Sequence, residues 1–155
     1  MDAHDSLTPL DPAYLTLLRL RIAAFGVALF AAALVLEVPG IAPRGAFAVP
    51  ALLLAAVLAW RLPARRYGAA GYRIAEDRLD VVQGPWLRRE SAVPFGRVQH
   101  IDLAQGPLER RFGLATLMLH TAGVHGATVS LPGLPEAQAY SIREAIRSAI
   151  RRDTQ

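Results

Sequence analysis

The chain of 155 residues contains no cysteine and no lysine. The first absence excludes disulfides, thiolate zinc sites and cysteine nucleophiles, and it leaves the redox compartment unread. The second makes all 17 basic residues arginine, so arginine identity at any one position carries little information by itself. Charge is also sparse. Charged residues make up 19% of the chain and hydrophobic residues 53%. Average usage is about 25% charged and about 45–50% apolar. This balance excludes intrinsic disorder. A net charge of +4 raises nucleic acid as a partner. Much of that charge flanks apolar blocks, however, and aromatic residues do not interleave with the arginines. No nucleic-acid partner is expected.

The apolar excess is concentrated in two blocks within the first 62 residues. The first is Ile22 to Leu36, which holds no charge. Extended back to Leu17 it crosses Arg19 and Arg21. A helix of that length measures about 30 Å, the thickness of a bilayer core, if the two arginines snorkel to the interface. The second block, Ala46 to Leu62, closes on Trp60 and Arg61, and a tryptophan there suits the interfacial aromatic belt. Pro50 falls in its first turn, where proline does little harm. The segment between the blocks, residues 37–45, carries two prolines and two glycines and predicts a tight turn. Two buried helices of a soluble bundle would each show a polar stripe, and neither block has one. A cleaved signal peptide fits poorly with the acidic Asp2, Asp5 and Asp11 and with a second apolar block behind the first.

Arginines set the orientation. Arg19 and Arg21 flank one end of the hairpin, and Arg61, Arg65 and Arg66 flank the other. The turn carries Arg44, opposed by Glu37. The positive-inside rule then places both termini in the cytoplasm of a multi-pass inner-membrane protein. The expected organisation is a cytoplasmic tail over residues 1–16, a transmembrane hairpin over 17–66 and a cytosolic domain over 67–155.

From Gly68 onward the texture alternates. Strands are predicted over 71–75, 79–83, 86–93, 97–104, 114–121 and 127–131, with turns at Glu76–Arg78, at Gly84-Pro85 and at Gly123 to Gly126. Pro107 to Phe112 reads as one helical turn closed by Gly113. A final helix opens at Pro135, with Ile142, Ala145, Ile146, Ala149 and Ile150 on one stripe and Arg143, Arg147 and Arg151 on a solvated face. The expected fold class is membrane-anchored α+β: a two-helix hairpin, then a curved antiparallel sheet or barrel capped by a C-terminal amphipathic helix.

The run VPFGRVQHIDLAQGPLERRFGLATLMLHTAG, from Val93 to Gly123, and SLPGLPEAQA, from Ser130 to Ala139, resemble the bacterial pleckstrin-homology-like domains of the YdbS type, also called membrane-flanked domains. The two preceding helices are typical of that family as well, so the resemblance covers the whole chain. It implies a membrane-anchored PH-like fold, often accompanied by a larger membrane protein with tandem copies of the same domain. The resemblance bears on architecture rather than activity; no enzymatic activity and no cofactor are expected. The matching positions Pro94, Arg97, Gln99, His100, Asp102, Gly106, Pro107, Glu109, Phe112, Gly113 and His120 are read as structural.

Three groups of residues could carry chemistry. On a strand, Val98, His100 and Asp102 share one face, and His120 lies on another strand beside Thr116 and Met118. If the faces match, His100, Asp102 and His120 meet. They could then serve as a carboxylate-oriented base, as metal ligands, or as a polar network tying strands together. The chain has no nucleophile motif and no tight ligand spacing, so no catalytic and no metal residues are assigned. Gly106 to Gly113 could present Arg110 and Arg111 to a partner or an anionic headgroup. It could equally be a fixed turn in which Leu108 and Phe112 plug the core and Glu109 pairs with an arginine. Arg65 and Arg66 could attract anionic lipid, or simply set topology. The acidic turn at Glu76 and Asp77 opposes phosphoinositide binding there.

The function expected is a non-enzymatic, membrane-anchored interaction module, in contact with membrane lipids. It would assemble with itself or with a larger membrane protein carrying tandem PH-like domains. The alternatives are a lipid- or hydrophobic-ligand-binding component of an envelope stress or transport system and, more remotely, a membrane enzyme using His100, Asp102 and His120.

Overall fold

The computed structural model describes residues 7–38, 43, 45–122 and 128–153. Most of the turn expected over 37–45, including Arg44, and the glycine turn at Gly123 to Gly126 lie outside the described residues. The chain divides into two compact units. One is residues 15–65. The other joins residues 1–14 to residues 66–155.

The first unit is built from helices α1 (Pro12–Glu37) and α2 (Ala48–Gly68). Both are long and apolar enough to cross a membrane. Their surfaces carry exposed Phe25, Val27, Val35, Leu53 and Val57, which a bilayer would cover. Both helices outrun their apolar blocks. Asp11 accepts the Ala13 N–H at 2.7 Å and starts α1 at Pro12, a proline-first-turn signal. At the other end, α2 continues through Pro63 to Gly68. Glu37 Oε1 accepts the N–H groups of Phe47 at 3.0 Å and Ala48 at 2.9 Å, satisfying orphan donors at the start of α2. The helices meet closely at Gly26: a Cβ added there would lie 2.9 Å from the Ala55 methyl. Small residues of this kind let membrane helices approach.

Among the described residues the second unit holds seven strands in two antiparallel sheets. The first sheet has the order β1 (Thr8–Pro9), β2 (Gly71–Ile74), β3 (Arg78–Gln83), β4 (Arg89–Pro94). The second has the order β5 (Val98–Ala104), β6 (Leu114–Thr121), β7 (Thr128–Pro135). A short helix α3 (Pro107–Arg111) joins β5 to β6, and α4 (Glu136–Asp153) ends the unit. The barrel allowed for by the sequence does not close: among the described residues the two sheets share no ladder. A 3₁₀ turn at Phe95–Arg97 carries the chain from one sheet to the other. The Gln83 side chain donates to the Ser130 carbonyl at 2.6 Å where a ladder would otherwise run.

The core lies between these sheets and α4. Tyr72, Leu79, Val81, Val93 and Phe95 meet Leu117, Leu119, Leu131 and Leu134, with Ala139, Ile142, Ile146 and Ala149 of the helix. Ala145, expected in that stripe, is exposed, and Ala139 takes its place. The segment expected as a tail supplies β1 and the buried Leu10, whose carbonyl accepts from the Tyr67 hydroxyl at 2.8 Å. Trp86 to Arg88, expected to begin a strand, form a loop that precedes β4.

Tyr72 is buried, and its hydroxyl accepts from the Gln138 amide at 2.6 Å. Burial pushes the phenol's pKa up, and the amide hydrogen bond only partly opposes this. The folded state therefore holds this proton more tightly than the unfolded chain does. Its contribution is complete at neutral pH and is lost as pH rises past the ordinary phenol value of 10.0. Thermal melts should show a midpoint that falls above that pH, and Tyr72→Phe should make the alkaline fall shallower.

Candidate functional site

The long motif forms β5, α3 and β6 and is held by three local devices. Pro94 leads into the 3₁₀ turn, where the buried Phe95 donates its N–H to the Asp77 carbonyl at 2.8 Å. Arg97 is exposed, and its carbonyl accepts from Ala122 at 3.0 Å. Gln99 then sits in a bulge. Val98 pairs with Thr121 and His100 with His120, so the ladder skips Gln99. The bulge corrects the face assignment made from simple alternation. Val98 packs on the core with Ile101 and Leu103, while His100 and Asp102 turn outward.

On that outer face the expected cluster does form. Asp102 bridges two imidazoles: Oδ1 lies 2.8 Å from His100 Nε2, and Oδ2 lies 3.2 Å from His120 Nε2. The ring centroids are 6.0 Å apart. His120 Nδ1 lies 3.0 Å from the Thr128 hydroxyl. The chain thus links β5, β6 and β7 side to side. Side-chain exposures are 70% for His100, 48% for Asp102 and 38% for His120, so water screens the interactions. Both Nε2 atoms are engaged by one carboxylate. Among the described residues no three His, Cys, Asp or Glu side chains are placed to hold a metal ion. The arrangement fits a surface polar tie across the sheet.

The Gly106–Gly113 connection is a fixed turn with an exposed cationic rim. Pro107 opens α3, and Gly113 closes it at φ +65°. Glu109 is buried: its Oε2 accepts the Gly106 N–H at 2.7 Å, and its Oε1 accepts the Thr116 hydroxyl at 3.3 Å. Leu108 and Phe112 do not plug the core, as the spacing suggested. Both stay half-buried outside it, because so short a helix is anchored through Glu109. Arg110 and Arg111 are exposed. Glu109→Ala strips two polar groups of their acceptor and should cost about 1–3 kcal/mol. Glu109→Gln should retain most of that. Unfolding midpoints of the two variants measure the difference, and an unshifted Glu109→Ala would count against the anchoring role.

Arg65 and Arg66 are both exposed near the end of α2. On β2 and β3, Asp80 binds Arg73 at 2.9 Å and Arg78 at 3.1 Å, which engages the arginines near the acidic turn. One feature escaped the sequence reading: an apolar cavity of about 460 Å³ beside the β3–β4 loop, whose walls include Leu10, Tyr14, Arg66, Trp86 and Arg89. The consecutive Trp86-Leu87 behind Gly84-Pro85 was its visible signal.

Comparison with known proteins gives a consistent result. A family model described as "Bacterial PH domain" matches residues 17–150. The UPF0699 transmembrane protein YdbS of Bacillus subtilis (strain 168) is 35% identical over 96 residues, which are 61% of this chain and 58% of that protein. The match thus spans somewhat over half the length of that relative. No solved structure matches the chain.

Proposed function

The chain belongs to the bacterial PH domain family, and on that premise we propose that it is a non-enzymatic assembly module of a membrane complex. It is a membrane-associated PH-like protein, with two apolar helices and resemblance to a transmembrane relative. In this reading both termini are cytoplasmic. The domain docks with a second PH-like domain, either in another copy of this chain or in a larger membrane protein carrying several such domains.

The observation that supports the reading best is an open sheet edge. Among the described residues β5 pairs with β6 alone, so its other side offers backbone N–H and C=O groups for an added strand. The other edges are less available. β4 carries Arg89 and Glu90, with Arg88 and Glu90 paired at 2.6 Å, and charges of this kind discourage pairing. β7 is bridged by Gln83. Exposed Arg110 and Arg111 follow β5 closely and would add charge complementarity for an acidic partner surface.

The test is native mass spectrometry of the full chain extracted in mild detergent. The proposal expects a homo-oligomer or a stoichiometric complex with a protein bearing PH-like domains. A bare monomer, from membranes that contain the natural partners, would contradict it. His100→Ala and His120→Ala should leave accumulation and complex formation close to the parent. A loss of function with the complex intact would favour the enzymatic alternative instead.

A further inference from the structure

The β3–β4 loop exposes two large apolar side chains in succession, Trp86 at 77% and Leu87 at 68%. The loop begins at Gly84, whose φ of +113° turns the chain sharply out of β3. It forms one wall of the cavity of about 460 Å³, a volume in the usual range for small-molecule sites. The rest of the wall is mostly apolar; its charged groups are the guanidiniums of Arg66 and Arg89, beside the Gln83 amide, which is bonded to the Ser130 carbonyl, and the Tyr14 phenol. Among the described residues neither guanidinium has a carboxylate partner. The cavity also lies where the chain passes to and from the hairpin. Tyr14 and Arg66 line it, and they are the last residue of this unit before residues 15–65 and the first after them.

We infer that the Trp86–Leu87 loop enters the bilayer interface, and that the cavity beside it receives the anionic headgroup of a phospholipid from that bilayer. Each part has a physical reason. An indole ring is favoured at headgroup depth, where its body is apolar and its N–H is wet. Guanidinium groups pair with phosphate through two parallel hydrogen bonds. A patch of exposed Trp and Leu that shares a cavity with Tyr14 and Arg66, the residues bordering the hairpin in sequence, is covered by lipid with little loss of freedom. Arg66 and Arg89 would contact the phosphate, and Trp86 and Leu87 the glycerol and upper acyl region. The inference stands apart from which protein docks on β5.

The full chain in lipid nanodiscs tests it. The chain has two tryptophans, so Trp60→Phe leaves Trp86 as the only indole. Its fluorescence is read against brominated phosphatidylglycerol or brominated phosphatidylcholine. Each arginine near an anionic surface gives about a fivefold preference, so two give about 25-fold. Half-maximal quenching should therefore need about 25-fold less brominated phosphatidylglycerol than brominated phosphatidylcholine. Arg66→Ala with Arg89→Ala should bring the ratio to one, and Arg66→Lys with Arg89→Lys should keep most of the preference. The lysine pair decides the matter if the alanine pair fails to fold. Quenching by aqueous iodide and by neither lipid overturns the inference. Equal quenching by both lipids, or selectivity unchanged in the alanine pair, overturns the headgroup assignment.

Discussion

Gly133→Ala is expected to destabilise the domain by roughly 2–6 kcal/mol, backbone strain and overpacking each adding about 1–3 kcal/mol. Gly133 has φ +72°, a region that side-chain-bearing residues rarely occupy. An added Cβ would also sit 2.5 Å from Cγ of Tyr14. The position is a bulge in β7. Ala115 pairs with Leu134 and Leu117 with Leu131, so three steps on β7 face two on β6. That extra residue is what lets Leu131 and Leu134 both reach the core. The same glycine accepts the Asp11 N–H at 3.1 Å, which fixes the entry to α1. A loss of this size is a large share of the 5–15 kcal/mol that holds a typical domain. It is read as a drop in the unfolding midpoint of detergent-solubilised protein. A midpoint unchanged from the parent would mean that the bulge relaxes freely.

Leu117→Ala should cost about 2–5 kcal/mol. Leu117 is fully buried at the centre of β6, with Leu103 opposite on β5 and Leu131 opposite on β7. Neighbours on both sides are held by ladders, so the cavity cannot collapse and the cost belongs in the upper half of that range. Ile74→Ala is the matched control. Ile74 is exposed at the end of β2 and should change stability by less than about 0.5 kcal/mol. If the two variants melt alike, the core is not where the structure places it.

Most of the fold was legible because its signals are local. The apolar blocks located both helices, and alternation located β2, β3, β5 and β6. The His100–Asp102–His120 meeting was legible too, since period-two spacing put the three on matchable faces. What failed were features set by partners distant in sequence. β1 is two residues long and exists only by pairing with β2. The bulge at Gln99 reverses the facing of Val98 relative to His100, and nothing in VQHID announces it. The bulge at Gly133 did have a signal in Pro132-Gly133, but β7 was expected to stop at Leu131. The loop at Trp86 was hidden by its strand-like composition. The cavity beside it emerges only once Gly84 turns the chain and Tyr14 and Arg66 arrive from elsewhere. Sheet and barrel stayed open as alternatives because strands alone do not reveal where a 3₁₀ turn and a helix replace a ladder.

The central claim is that β5 is the docking edge of a membrane-anchored assembly module. Site-specific photocrosslinking in native membranes tests it most directly. One probe replaces Gln99, exposed in the β5 bulge, and a second replaces Arg147, exposed on α4. The account predicts that Gln99 crosslinks to a second PH-like domain, in another copy of this chain or in a larger membrane protein, and that Arg147 does not. Crosslinking from Gln99 no greater than from Arg147 would contradict it.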